Sequence, residues 1–144
     1  MNDAKRNSLI ARMGRLKRYN GGVAAEVMPL VSVEEYFDGA EGEAPLWCNT
    51  GLGSDEDAIR DRLADLRARP EVLDLRIAVV NADDEEWPFS DKILVVTKEA
   101  AETIAALLPE GLAPDEYWEG DVDHLPTEPI AIPPGFRKVW LWYD

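Results

Sequence analysis

The stretch "LDLRIAVVNADDEEWPFSDKILVVT", residues 73–97, decides how the chain is read. Its first eight residues alternate and place Leu73, Leu75, Ile77 and Val79 on one face of an extended strand. Its last segment, "KILVVT" (92–97), is apolar on both faces, as a central strand is. Between them stand four acids, Asp83, Asp84, Glu85 and Glu86, followed by Trp87, Pro88 and Phe89. Two strands joined by a polar, proline-containing link read as a hairpin. The acids suit a solvated tip. Trp87 is expected to brace the loop, Pro88 to fix its turn, and Phe89 to return the chain to the core.

A helix precedes this hairpin. Ser54 caps residues 54–69, Asp55, Glu56 and Asp57 fill the first turn, and Ile59, Leu63 and Leu66 form the apolar stripe. Glu56–Arg60 and Asp65–Arg69 have the spacing of supporting ion pairs, and Pro70 stops the helix. After the hairpin, Thr97 is expected to cap a second helix over 98–108, ended by Pro109. Two further strands are expected. "VAAEVM" (23–28) stops at Pro29. The closing "RKVWLWYD" sets Val139, Leu141 and Tyr143 on one face and Trp140 and Trp142 on the other. "SVEEYF" forms a one-turn helix capped by Ser32, with Glu35 completing a capping box.

The order strand, helix, strand, strand, helix, strand predicts an α+β fold. Its expected form is a ferredoxin-like βαββαβ antiparallel sheet with helices on one face. Pro29 is the misfit, and an α+β meander with helices on one side is the second reading. In the ferredoxin-like form, Trp140 and Trp142 or their neighbours face away from the helices. The basic N-terminal helix, the proline-rich tail or a second subunit must then cover that face.

A chain of 144 residues suits one domain with a sizeable core. A hydrophobic fraction of 46% with 31% charged residues marks a globular chain, not a disordered one. Residues 1–18 carry six cations against one acid, a net of +5; the rest carries nine against 28, a net of −19. The division is therefore a basic helix or arm over 1–22, with Leu9, Ile10, Met13 and Leu16 at helical spacing, and a single acidic domain over 23–144. Opposite charge favours docking of the arm on the body. The acidic body repels nucleic acid and anionic membranes and attracts a basic protein. No apolar run reaches membrane-spanning length, and no signal-peptide pattern opens the chain, so a bacterial cytoplasmic protein is expected. The single cysteine, Cys48, forms no internal disulfide.

Few residues suggest chemistry. Glu119, Asp121, Asp123 and His124 cluster in "EGDVDH", but the loop lacks the glycine and closing glutamate of a calcium hand, so no metal is expected. Cys48 has no nucleophile signature around it, "TGLGS" lacks the Lys-Ser/Thr of a phosphate loop, and no dinucleotide fingerprint follows a strand. No catalytic residue and no cofactor are expected. The second functional reading is a small-molecule-binding protein or enzyme. Its pocket would lie between the 38–53 loop and the C-terminal tail and use Cys48, Asp121, Asp123 or His124.

Tryptophans next to acids point to recognition, since Trp is enriched at binding hot spots. The leading reading is a non-catalytic acidic protein-binding module, in specific form an immunity protein or inhibitor of a basic toxin or enzyme. Asp83, Asp84, Glu85, Glu86, Glu119 and Asp121 would steer the partner, and Trp87 and Trp118 would anchor it. Trp87 is the one expected to be buried, Trp118 the one exposed. A homodimer through the open sheet face is a further expectation.

"PLVSVEEYFDG", "WPFSDKILVVT", "PDEYWEG" and "PPGFRKVWLWYD" resemble motifs of small acidic bacterial proteins of uncharacterised function. That resemblance spans 29–144, leaves the basic N-terminal segment outside, and implies no activity or site residues. Size and acidity alone supply an analogy to immunity proteins of toxin systems.

Overall fold

The computed structural model describes residues 1–19, 28–44, 55–79, 87–109, 111–122 and 127–143, with side chains in the first segment described to Arg12. The strand expected at 23–28 (apart from Met28), the Ser54 cap, Trp47, Cys48, the acids Asp83–Glu86, Asp123 and His124 lie outside the described residues.

The elements are α1 (Asp3–Tyr19), β1 (Leu30–Val31), α2 (Val33–Phe37), α3 (Glu56–Arg67), β2 (Val72–Ala78), β3 (Lys92–Thr97), α4 (Ala101–Leu107), β4 (Glu116–Glu119) and β5 (Arg137–Trp142). The fold is mixed α and β. Among the described residues five strands run in the order β1-β2-β3-β5-β4, and every neighbouring pair is antiparallel. The hairpin expected over 73–97 is the centre of this sheet, with Ala78 opposite Lys92 and Ile77 opposite Ile93.

The ferredoxin-like order is not what these strands adopt. In a split βαβ unit the strands flanking a helix are parallel, with another strand between them. Here β1 and β2 flank α2 and α3, yet they are direct antiparallel neighbours, with Val31 opposite Ile77. Strands β3 and β4, which flank α4, do run parallel with β5 between them, so the split unit is kept in the second half alone. The second half also carries a short edge strand, β4, which lies between α4 and β5 in the chain. It reverses the chain once more, so β5 returns antiparallel along β3.

One face of the sheet carries Ile77, Val79, Ile93, Val95, Val139, Leu141 and Tyr143. It packs under Leu9 of α1, Tyr36 and Phe37 of α2, Ile59, Leu63 and Leu66 of α3, and Ile104 of α4. The α3 stripe is the expected one. Its N-cap is Asp55, whose side chain accepts from Ala58 N, and the expected ion pairs are replaced. Arg60 reaches Asp57, Arg69 reaches Glu71, and Glu56 accepts from the backbone N–H groups of Gly42 and Ala44. Ser32 caps α2 as expected, accepting from Glu35 N at 3.1 Å, but the Glu35 carboxylate turns to Arg12 instead of closing the box. Thr97 does not cap α4, which begins four residues later; its hydroxyl accepts from Glu99 N and donates to Glu71 O.

Leu73 leaves the expected apolar face. The register slips between Val72 and Asp74, so Leu73 sits on a bulge and is 51% exposed. A bulge adds one residue to the strand and re-aims the side chains before it.

The second sheet face carries Leu30, Ala78, Leu94 and Trp140. Met28, Val122 and Ile130 close over it, with Thr127 bridging to Met28. The proline-rich tail, expected as one cover for this face, packs on it through Val122 and Ile130.

The basic helix α1 docks by its first three turns. Leu9 is buried, Asn2 N donates to Gly39 O at 2.7 Å, Lys5 pairs with Asp38, and the terminal ammonium pairs with Glu41 and Glu43. Gly39 permits this approach. Its φ is +91°, and a Cβ there would stand 2.7 Å from Cβ of Lys5.

Candidate functional site

Strand β4, "EYWE", is one edge of the sheet. Glycine sets its exit: Gly120 has φ +108° and donates its N–H to Lys138 O at 3.0 Å. The register pairs Trp118 with Trp140 and Glu116 with Trp142. With residue 120 bonded across to residue 138, residues 116 and 118 also turn their backbone groups toward β5. Tyr117 and Glu119 turn theirs outward, because the ladder alternates.

Side chains alternate as well. Trp118 lies over Trp140, ring centroids 6.5 Å apart and 20° from parallel, and its Nε1 donates to Asp121 O at 3.3 Å. Trp140 Nε1 donates to Gly120 O at 2.8 Å. Trp118 is half-buried, and Tyr117 on the other face is 44% exposed. A large aromatic left this open, one residue from a stacked tryptophan, is the surface feature expected of an anchor.

The acids around this edge divide by role. Glu119 accepts from Ala101 N at 3.2 Å, supplying α4 with the cap its own Ala100 lacks, and pairs with Arg137 at 3.0 Å. These donors, the backbone N–H first and Arg137 second, hold its carboxyl below the usual range. Asp121 pairs with Lys138. Asp115 and Glu116 are exposed at the start of the strand.

The expected site is therefore only partly brought together. Trp118, Glu119 and Asp121 stand at one edge of the sheet, with Trp118 and Glu119 on opposite faces of it. Trp87 does not join them: it is 1% exposed, and its Nε1 donates to Tyr36 O at 2.9 Å beneath α2. The anchor role proposed for Trp87 is corrected by this burial. Phe89, expected to re-enter the core, is 39% exposed, and Trp87 and Pro88 fill that space instead. Tyr36 locks the arrangement by donating its hydroxyl to Pro88 O at 2.5 Å. Burial raises the Tyr36 phenol far above its ordinary range.

Glu116 and Tyr117 are the surface residues the sequence reading passed over. They sit in a proline-punctuated stretch, and a four-residue strand is too short to show a period. The adjacent Tyr-Trp pair was the available signal, since aromatics favour strands.

A cleft of about 650 Å³ lies between residues 37–42 and 55–60, lined by Asp38, Glu41, Asp55, Glu56 and Asp57 beside Phe37 and Arg60. It uses the start of the 38–53 loop, but no described residue of the C-terminal tail lines it, and its charge suits cations, not phosphates. Among the described residues, no group of three His, Cys, Asp or Glu side chains could hold a metal ion, and no helix is long and apolar enough to cross a membrane.

The model of the uncharacterised protein YfbO family matches residues 4–141. The protein YfbO of Escherichia coli (strain K12), described as uncharacterised, is 31% identical over 137 residues, covering 94% of this chain and 98% of the relative. No solved structure matches. The match begins at residue 4, so the docked basic helix, expected to lie outside the resemblance, is inside it. Matched from its N-terminal helix to its last strand, the chain belongs to the YfbO family.

Proposed function

We propose that this chain is a non-catalytic, acidic protein-binding module that receives a basic partner along β4. The observation that carries the reading is Tyr117, 44% exposed beside half-buried Trp118 and bordered by Asp115, Glu116, Glu119 and Asp121. The net charge of −14 supports it by steering cationic proteins toward the surface. The partner's aromatic or arginine side chains would pack on Tyr117, and its cations would meet Glu116 and Asp115. An inhibitor or immunity protein of a basic toxin or enzyme is the specific form this module takes, acting by covering its target.

Affinity capture from cell extract tests the proposal, with the intact chain, Tyr117→Ala and Glu116→Lys as baits. A partner of basic composition should be held by the intact chain, released by salt, and lost from both variants while their circular dichroism is unchanged. Equal capture by all three baits would remove β4 as the binding surface.

A further inference from the structure

The two edges of the sheet are finished differently. At the β1 edge, Val79 N donates to Pro29 O, which leaves the backbone groups of Leu30 pointing away from β2. The chain closes both: Leu30 N donates to Glu128 Oε2 at 2.9 Å, and Leu30 O accepts from Arg12 Nη2 at 3.1 Å. At the β4 edge the outward groups belong to Tyr117 and Glu119, and among the described residues no strand or side chain covers them. An uncovered edge is a template for another strand, which proteins either block or use.

From this asymmetry we infer that the partner is an extended, lysine- or arginine-rich segment that adds to β4 as a sixth strand. The inference rests on the binding surface proposed above and names the form of its occupant. The backbone of such a segment bonds to the N–H and C=O of Tyr117 and Glu119. Its side chains alternate between the Tyr117–Glu119 face and the Glu116–Trp118 face. The Glu116–Trp118 face offers the exposed Glu116 carboxylate to a cation, and the other face offers the open Tyr117 ring to an apolar side chain or a cation, its Glu119 being shared with Arg137. The same charges disfavour a second copy of this chain, because edge-to-edge pairing brings Glu116 and Glu119 against their own kind.

A short synthetic peptide of alternating lysine and valine is the probe, read by amide chemical shifts and hydrogen exchange of the intact protein. The expected result is shifts centred on residues 116–120, exchange protection at the Tyr117 and Glu119 amides, and binding about tenfold weaker or worse for the same peptide N-methylated along both edges. Equal binding of the methylated peptide at these residues would overturn strand addition while leaving the acidic surface in place. Absence of binding, or shifts confined to another surface, would overturn both. A dimer in light scattering with the same amides protected would overturn the heterologous occupant in favour of a second copy.

Discussion

Nη2 of Arg12 stands 2.7 Å from Oε2 of Glu128, joining the first helix to the tail across 116 residues of chain. Both oxygens of Glu128 are engaged, and Arg12 also grips both oxygens of Glu35 at 2.6 and 2.8 Å. The pair closes the backbone of Leu30 from two sides. One cluster thus fixes α1, seals the β1 edge and anchors the tail that covers Trp140.

Removing either partner should cost more than a surface ion pair does. Glu128→Ala leaves Leu30 N without its acceptor and Arg12 Nη2 with Leu30 O alone, while Nη1 keeps Glu35. We expect a loss of about 1–2 kcal/mol, below the full value for a charged hydrogen bond because the side chains keep some exposure. Arg12→Ala should cost about as much, and the double variant clearly less than the two added together. Urea unfolding of the three variants checks this; strict additivity would show that the two residues act separately.

The hairpin, the α3 stripe and the division of β5 into two faces were legible because each is a long run with one dominant period. Three features were not. The bulge at Leu73 breaks the period-two pattern by one residue, and nothing in "EVLDLR" marks it. Strand β4 is four residues long and exposed on both faces, so no apolar alternation announces it, and without it the return of β5 along β3 reads as a crossover. The Arg12–Glu128 contact depends on the tail folding back, which local propensity does not encode. Of the candidate site, the aromatic-acid grouping at 117–121 and the burial of Trp87 were both readable, whereas the contact that holds Trp87, with Tyr36 on a distant segment, was not.

Trp87 and Trp118 should behave differently on truncation. Trp87 is enclosed and loses a hydrogen bond to Tyr36 O, so Trp87→Ala should cost about 3–5 kcal/mol. Trp118→Ala removes one stacked ring from a half-buried site and should cost about 1–2 kcal/mol. Denaturant melts separate these values, and comparable losses at the two positions would contradict the packing described.

Gly39→Ala should loosen the first helix. Its φ of +91° is strained for alanine, and the new methyl group would collide with Lys5 Cβ and press on Asn2 Cβ. We expect about 1–3 kcal/mol of destabilisation. Hydrogen exchange should quicken in α1 before it quickens in β2 and β3. Unchanged protection along residues 4–12 would show that the helix docks without this close approach.

Stability should fall at both ends of the pH scale, for reasons that can be separated. Hydrogen bonds from Arg67, and secondarily from its own backbone, lower the Glu34 carboxyl, and the Ala101 N–H with Arg137 lowers Glu119. A lowered carboxyl stabilises the fold above its unfolded pKa, and that contribution disappears as pH drops through the folded value. The acid limb therefore lies below about pH 4, the range of free glutamate, and Glu34→Gln should flatten it. At the other end, burial raises the phenols of Tyr36 and Tyr143, and nearby Glu56 and Asp115 add to the shift. A raised phenol leaves stability intact below about pH 10 and withdraws it as pH climbs further, because the unfolded chain gives up those protons first. Phenolate absorbance followed alongside circular dichroism tests this. Two of the four tyrosines should ionise only as the fold is lost. Reversible titration of all four near pH 10, with the dichroism unchanged, would show that Tyr36 and Tyr143 are not sealed in the core.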